Sequence, residues 1–545
     1  PRGNRMHARK ESTGWVAALT LMALLVALFT FAAAGCGESE TADNTSSVPT
    51  EVLRLAYKQN VSTWDPSTGF GTEVVYTANV YEPLIYANPT GSSEPFSPCL
   101  ATSWEVSDDG LEWTFYLRKG VTFHDGEPFN AEAVKYSFER TIDLNLGAAY
   151  LLSPIESIEV VDDYTVKFVL SSVIAFDRIV AGDYGAWIFS PKTKDWDTDY
   201  WDEGHEAGTG PYMLESYKPN EELVFARFAD WWGEWDEKSM FEKVICKVVP
   251  EDGTQRQMLE ASQVDFANSV PRDQVDALEA NPDLTVYKAP SLDSYIMMFN
   301  TQRPPLDDVK VRQALSYAVP YEDIITVSVN GLGSQSHGPV PVGLWPNEAG
   351  DVPCYTTDYE KAAQLLAEAG YPDGEGIHKL VLTLTSENSI EQAYVPLIKE
   401  GFAKVGVEVQ IKQTLSNQQN AIASGPKEDR QDLATLLWWP SMPDGYDNLS
   451  SMFRTEDPPA WNMAYWYNSE YDQKLTEAYA LSATDPAKAQ ELYSECMNML
   501  YEEAPAAYLF DAQTLVAYLR TIQLSDAAIN FSYPQVLFWK EVTGK

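Results

Sequence analysis

The stretch DWDTDYWDEGHE sets Asp195, Asp197 and Asp199 at alternate positions and Glu206 at the twelfth. A calcium loop gathers its oxygen ligands at that spacing, but its sixth position needs glycine for a sharp turn, and Tyr200 stands there. A solvated acidic loop is therefore expected. His124-Asp125 and His205-Glu206 put an imidazole beside a carboxylate, the ingredients of metal binding or acid–base chemistry. Neither pair has the second histidine four residues away that a helical zinc site requires. With five histidines in the chain, ordinary turn residues are expected. No G-x-S-x-G elbow, phosphate-cradling loop or G-x-G-x-x-G fingerprint occurs.

Two further stretches carry chemistry. DLATLLWW ends in Trp438 and Trp439. On a strand, consecutive rings point to opposite faces, so one can line a cleft while the other packs inside. Near the start, Arg5, Arg9 and Lys10 precede an apolar run from Trp15 broken only by Thr20 and Thr30. The run ends in Ala33-Ala34-Gly35 before Cys36, and this resembles a bacterial lipobox. Residues 1–35 are accordingly expected to be a signal peptide, with Met6 the expected start and Cys36 the acylated first residue of the mature chain. A plain membrane-spanning anchor is the other reading, since roughly 20 apolar residues suffice to cross a bilayer. Residues 36–51 are small and polar and form an expected flexible tether.

The length that remains exceeds what one core accommodates, so two or more globular units are expected. A 45% hydrophobic composition is that of a folded soluble protein. The formal charge of −42 argues against nucleic acid or anionic lipid as a partner, because both would be repelled over the whole surface. Cys99, Cys246, Cys354 and Cys496 are even in number and allow three disulfide pairings, or none.

Strands and helices alternate along the chain. LEWTFYL puts Leu111, Trp113, Phe115 and Leu117 on one face, and YTVKFVL from Tyr164 to Leu170 repeats the period. Asn130 can cap AEAVKYSFERTI, and Asp358 can cap YEKAAQLLAEAG, in which Ala362, Leu365, Leu366 and Ala369 form one stripe. No repeat of 20 to 50 residues is present. The fold class is a mixed α/β architecture.

The segment LATSWEVSDDGLEWTFYLRKGVTFHDGEPFNAEAVKYSFER, Leu100 to Arg140, resembles the signature region of the family 5 extracellular solute-binding proteins of ABC transporters, the oligopeptide, dipeptide and nickel binders. GTGPY at Gly208 to Tyr212, Phe299-Asn300, PLDDVKVRQALSYAV at Pro305 to Val319 and DYEKAAQLLAEAGYP at Asp358 to Pro372 come next in the family's order. The resemblance implies a two-lobed clamp of mixed sheets with an inserted subdomain. Residues 52–76, 177–290 and 512–545 would form the first lobe, 77–176 its insert, and 291–511 the second lobe.

The same resemblance implies a binder, not an enzyme. It would have no cofactor or metal, act as a monomer outside the cytoplasm, hold to the membrane by its lipid and deliver a ligand to an ABC permease. The ligand would be a peptide or related small nutrient, with an oligosaccharide or metal chelate as the alternative. In the peptide binders an aspartate in the stretch matching Leu436–Phe453 pairs with the peptide's ammonium terminus. Ser441 stands there in this chain, so Asp444 or Glu73 would have to supply the charge. Trp438, Trp439, Tyr295 and Thr72 complete the expected cleft lining.

Overall fold

The computed structural model describes residues 52–89, 92, 94–235, 241–386, 388–459, 461–533 and 535–544. The signal peptide, Cys36 and the tether lie outside the described residues. No helix among the described residues is long and apolar enough to cross a membrane.

In chain order the principal strands are β1 (Val52–Tyr57), β2 (Ala101–Val106), β3 (Glu112–Leu117), β4 (Ile155–Asp162), β5 (Thr165–Leu170), β6 (Tyr212–Lys218), β7 (Glu222–Arg227), β8 (Lys243–Val248), β9 (Phe266–Ala267), β10 (Leu284–Phe299), β11 (Leu380–Thr385), β12 (Val409–Thr414), β13 (Leu433–Trp438) and β14 (Ala506–Leu519). Ten of them make one sheet in the order β12-β11-β13-β10-β14-β9-β1-β8-β7-β6, with the short strand Gly333–Ser334 added on β14. β2-β3-β5-β4 form a separate antiparallel sheet.

The alternating patterns fold as strands for the reason they alternate. Trp113, Phe115 and Leu117 of β3 and Val166, Phe168 and Leu170 of β5 all turn inward, where Phe115 meets Phe168 edge to face at 5.7 Å. Each such side chain contributes about 1.5–3 kcal/mol by leaving water. The helix Ala131–Leu144 covers this sheet, and Asn130 caps it by accepting from the Ala133 amide. Asp358 caps Tyr359–Glu368 in the same way through the Lys361 amide.

In the second half of the large sheet the central strands β10 and β13 are buried on both faces. Tyr295, Met297 and Phe299 of β10 enter one core with the helix Ser389–Ala403. Ile296 and Met298 enter the opposite core, closed by the helical hairpin Ser469–Leu481 and Pro486–Glu503. A strand covered on both sides reads as a continuous apolar run, as YIMMF does.

β10 and β14 are the long strands, of 16 and 14 residues. They pair with β9 on one side and with β13 on the other, so they join the two halves of the large sheet. Their ladder is interrupted between Pro290 and Ser294 and again at Tyr295 and Ile296. Bulges of this kind bend a strand and re-aim the side chains beyond the bend.

The calcium-like stretch folds to other ends. Asp197 caps the short helix Thr198–Asp202 through the Tyr200 amide, and His205 stacks on the Tyr200 ring at 3.7 Å. Glu206 turns inward and joins the two histidine pairs: its carboxylate meets His124 Nδ1 at 2.8 Å, and His124 Nε2 lies 2.9 Å from the Gly210 carbonyl. Burial pulls the His124 pKa down, but the Glu206 charge and these bonds outweigh it and leave the imidazole raised above its ordinary value. The four described cysteines are all free thiols.

One ion pair fixes the loop after β1. Arg140, on the helix over the smaller sheet, grips Asp65 with both guanidinium nitrogens at 2.6 and 2.7 Å. Asp65 in turn accepts from the Ser67 amide with its side chain and from the Gly69 amide with its carbonyl. Replacing Asp65 by alanine leaves a largely buried guanidinium unpaired. The Asp65→Ala variant should lose about 3–5 kcal/mol of stability, seen as a lower urea midpoint at unchanged slope.

Candidate functional site

Five segments converge where the two lobes meet. The loop tethered by Asp65 presents Phe70, 46% exposed, whose ring packs edge-on against Tyr184 at 5.1 Å and Tyr150 at 6.1 Å. Tyr184 donates its hydroxyl to the Gly71 carbonyl at 3.0 Å, holding the loop. Tyr150, 50% exposed, reaches across to the other lobe, where its hydroxyl lies 3.4 Å from Ser441 Oγ.

Past the end of β13 the chain turns sharply, and the helix Tyr446–Phe453 supplies the carboxylate that organises the turn. Asp447 Oδ2 accepts from the Ser441 amide at 3.0 Å and from Trp438 Nε1 at 3.2 Å. The Ser451 hydroxyl donates to its other oxygen at 3.3 Å. No cation among the described residues pairs with Asp447, and burial pushes its pKa up to about 6. Asp183, 2% exposed, faces the same junction. It makes no side-chain ion pair among the described residues, and burial, with the Asp447 charge adding to it, pushes its pKa up to about 8.

The expected residues divide. Trp438 is buried edge-on to Trp461 at 5.7 Å, while the neighbouring Trp439 is 42% exposed, as opposite faces of a strand require. Ser441 sits at the lobe junction. Asp444 is buried and already paired: Arg178 Nε of the first lobe stands 2.6 Å from it, and that guanidinium lies 4.6 Å above the Trp345 ring. Burial raises the Asp444 pKa to about 6 against the opposing pull of Arg178. Glu73 is buried, with Oε2 accepting from Ser62 at 2.6 Å and Oε1 unpartnered among the described residues. Thr72 is exposed on the same loop. Tyr295 is stacked on Phe510 at 4.6 Å in the second-lobe core.

Sequence reasoning missed Asp183, Asp447, Phe70, Tyr150 and Tyr184. For Asp183 a signal existed: it is a lone carboxylate in the apolar and glycine-rich run IVAGDYGAWIF, where burial of charge is costly unless something offsets it.

Aromatic rings and carboxylates without a cation partner thus meet at one junction of the fold. Residues 95–460 match the model for bacterial extracellular solute-binding proteins, family 5. The chain belongs to that family, whose members bind small ligands or peptides outside the cytoplasm and serve ABC importers.

It is 33% identical over 428 residues to the glutathione-binding protein GsiB of Pectobacterium atrosepticum, covering 75% of this chain and 79% of that one. It is 27% identical to the probable D,D-dipeptide-binding periplasmic protein DdpA of Escherichia coli, over 88% and 92% of the two chains. The structure of the periplasmic binding protein DppA from Helicobacter pylori in complex with the peptide STSA superposes with a TM-score of 0.73 at 26% identity, over 90% of this chain and 98% of that one. NikA from Brucella suis, solved with Fe(III)-EDTA, shares the fold with a TM-score of 0.79 at 23% identity, over 91% and 100% of the chains.

Asp183 gives a pH test. Its folded pKa lies above that of the unfolded chain, so its contribution to stability is complete below about pH 4 and is lost as pH rises to about 8. The Asp183→Asn variant should show a flatter fall of melting temperature between pH 5 and 8 than the unaltered protein, monitored by calorimetry.

Proposed function

We propose that this protein captures a short peptide or a related amine-bearing nutrient between its lobes and presents it to an ABC permease, performing no chemistry on it. The observation that carries the reading is the pair Asp183 and Asp447, buried at the lobe junction with no cation of the described residues beside either. A solute's ammonium or other charged donor would offset their burial cost. Asp447 would take the place left open by Ser441, since Asp444 is already held by Arg178.

Phe70, Tyr150, Tyr184 and Trp439 would pack on the solute's apolar parts, with Thr72 and Ser441 offering hydroxyls. The exposed rings of Phe70, Tyr150 and Trp439 also favour the alternative ligand, an oligosaccharide, which stacks on such faces. A lobe division at 290/291 and 511/512 puts the hinge at the interrupted ladder of β10 and β14. Acylation at Cys36 would keep the protein at the outer face of the membrane.

Closure is a population shift: a ligand drives it only through contacts that exist in the closed form and are missing in the open one. A ligand at a hundred times its Kd should add about 2.7 kcal/mol of stability and contract the particle in solution scattering. Thermal-shift screening with di- and tripeptides, glutathione, oligosaccharides and metal chelates makes the comparison. Peptides should stabilise the unaltered protein and do so much less in Asp447→Asn. Stabilisation by sugars or chelates but by no peptide would overturn the peptide reading.

A further inference from the structure

A cavity of about 260 Å3 lies against the hinge, on the first-lobe side of the crossing strands. Three charged residues line it, Lys58, Arg272 and Asp293, and the last two form no ion pair with each other. Arg272 donates from Nη2 to the Gln513 carbonyl at 2.8 Å, while Nη1 is buried and has no partner among the described residues. No carboxylate among them pairs with this guanidinium. Asp293, in the interrupted segment of β10, is linked through its amide to Ser291 Oγ, and its carboxylate makes no hydrogen bond or ion pair with the described residues.

The neighbouring charges are accounted for. Lys58 is held by Asp252, and Asp511 accepts from the Ser294 and Ser336 hydroxyls at 2.6 and 2.8 Å. Much of the remaining wall is primary amide: Asn268 donates to Gln59 at 2.6 Å, and Gln59 to Gln535 at 2.8 Å.

A cation and an anion that face one small cavity without forming an ion pair are only partly compensated, because each favours the other's charge from a distance while burial penalises both. A group bearing both charges on adjacent atoms satisfies both at once. The volume is below that of a pocket for a whole drug-sized ligand, so it suits one end of a solute. We propose that this cavity is a subsite for a zwitterionic amino-acid head, with its carboxylate on Arg272 and its ammonium on Asp293. The Asn268–Gln59–Gln535 amides would meet the polar atoms next to the head. The inference names a second contact for the solute of the proposed function, but it stands on different residues from the Asp183–Asp447 pair.

The test is calorimetric titration of the full folded protein with glycine, glycinamide and N-acetylglycine, which carry both charges, only the ammonium and only the carboxylate. Glycine should bind at least about ten-fold more tightly than either half-probe, the scale of one lost charge-assisted contact. A dipeptide linked through the glutamate side-chain carboxyl, which keeps both charges on one carbon, should outbind its α-linked isomer. Arg272→Lys and Asp293→Asn should each remove the preference, while Asp183→Asn should leave it intact. Equal binding of glycine and its half-probes, or a preference untouched by Arg272→Lys, would overturn the subsite. Loss of the preference in Asp183→Asn alone would assign the zwitterion to the lobe junction and also overturn it.

Discussion

Two strands of this protein join the two halves of its large sheet, and the rest of the molecule has to accommodate that. β10 and β14 are hydrogen-bonded to each other along most of their length, and their ladder lapses between Pro290 and Ser294 and again at Tyr295 and Ile296. The hydroxyls of Ser291 and Ser294 tie that weak point to the Ala512 carbonyl and to Asp511 on the partner strand, so the hinge is hydrogen-bonded side chain to strand instead of strand to strand.

Across the gap, Arg178–Asp444 and Tyr150–Ser441 set how the lobes meet. A buried ion pair gives little net stability, since separating the lobes hydrates both charges. The pair therefore orients the contact between these segments and adds little net stability. The decisive energy is left to what lies between the lobes. A chain of net charge −42 surrounds this junction with a field that gathers cations, and Asp447, without a cation partner among the described residues, extends that preference to contact range. The Arg272 guanidinium is a local exception, shielded inside the first lobe.

Much of the fold was legible in the sequence because it is written in local terms. The alternation in β3 and β5, the caps Asn130 and Asp358 and the opposite faces of Trp438 and Trp439 each arise from the chemistry of a few consecutive residues. The ordered family motifs likewise pointed to the two-lobed architecture. The site was legible only in part, because its residues are brought together over distance. Ser441 was read as a gap in a carboxylate's place, but nothing near it in the chain announces Asp183 or Tyr150. Asp444 looked available, and no local pattern reveals that Arg178 faces it. Glu206 and His124, two apparent active-site candidates, are 82 residues apart and turn out to be each other's partner.

The four thiols buried or half-buried in the folded body stand apart from one another. No covalent cross-link among them then defines the native chain, and folding releases no electrons. No disulfide among these four adds to its cohesion, so a shift in the redox potential of its surroundings does not act through them on the balance between folded and unfolded forms. For a protein that works outside the cell, this frees assembly from any need for an oxidant or a disulfide-shuffling catalyst.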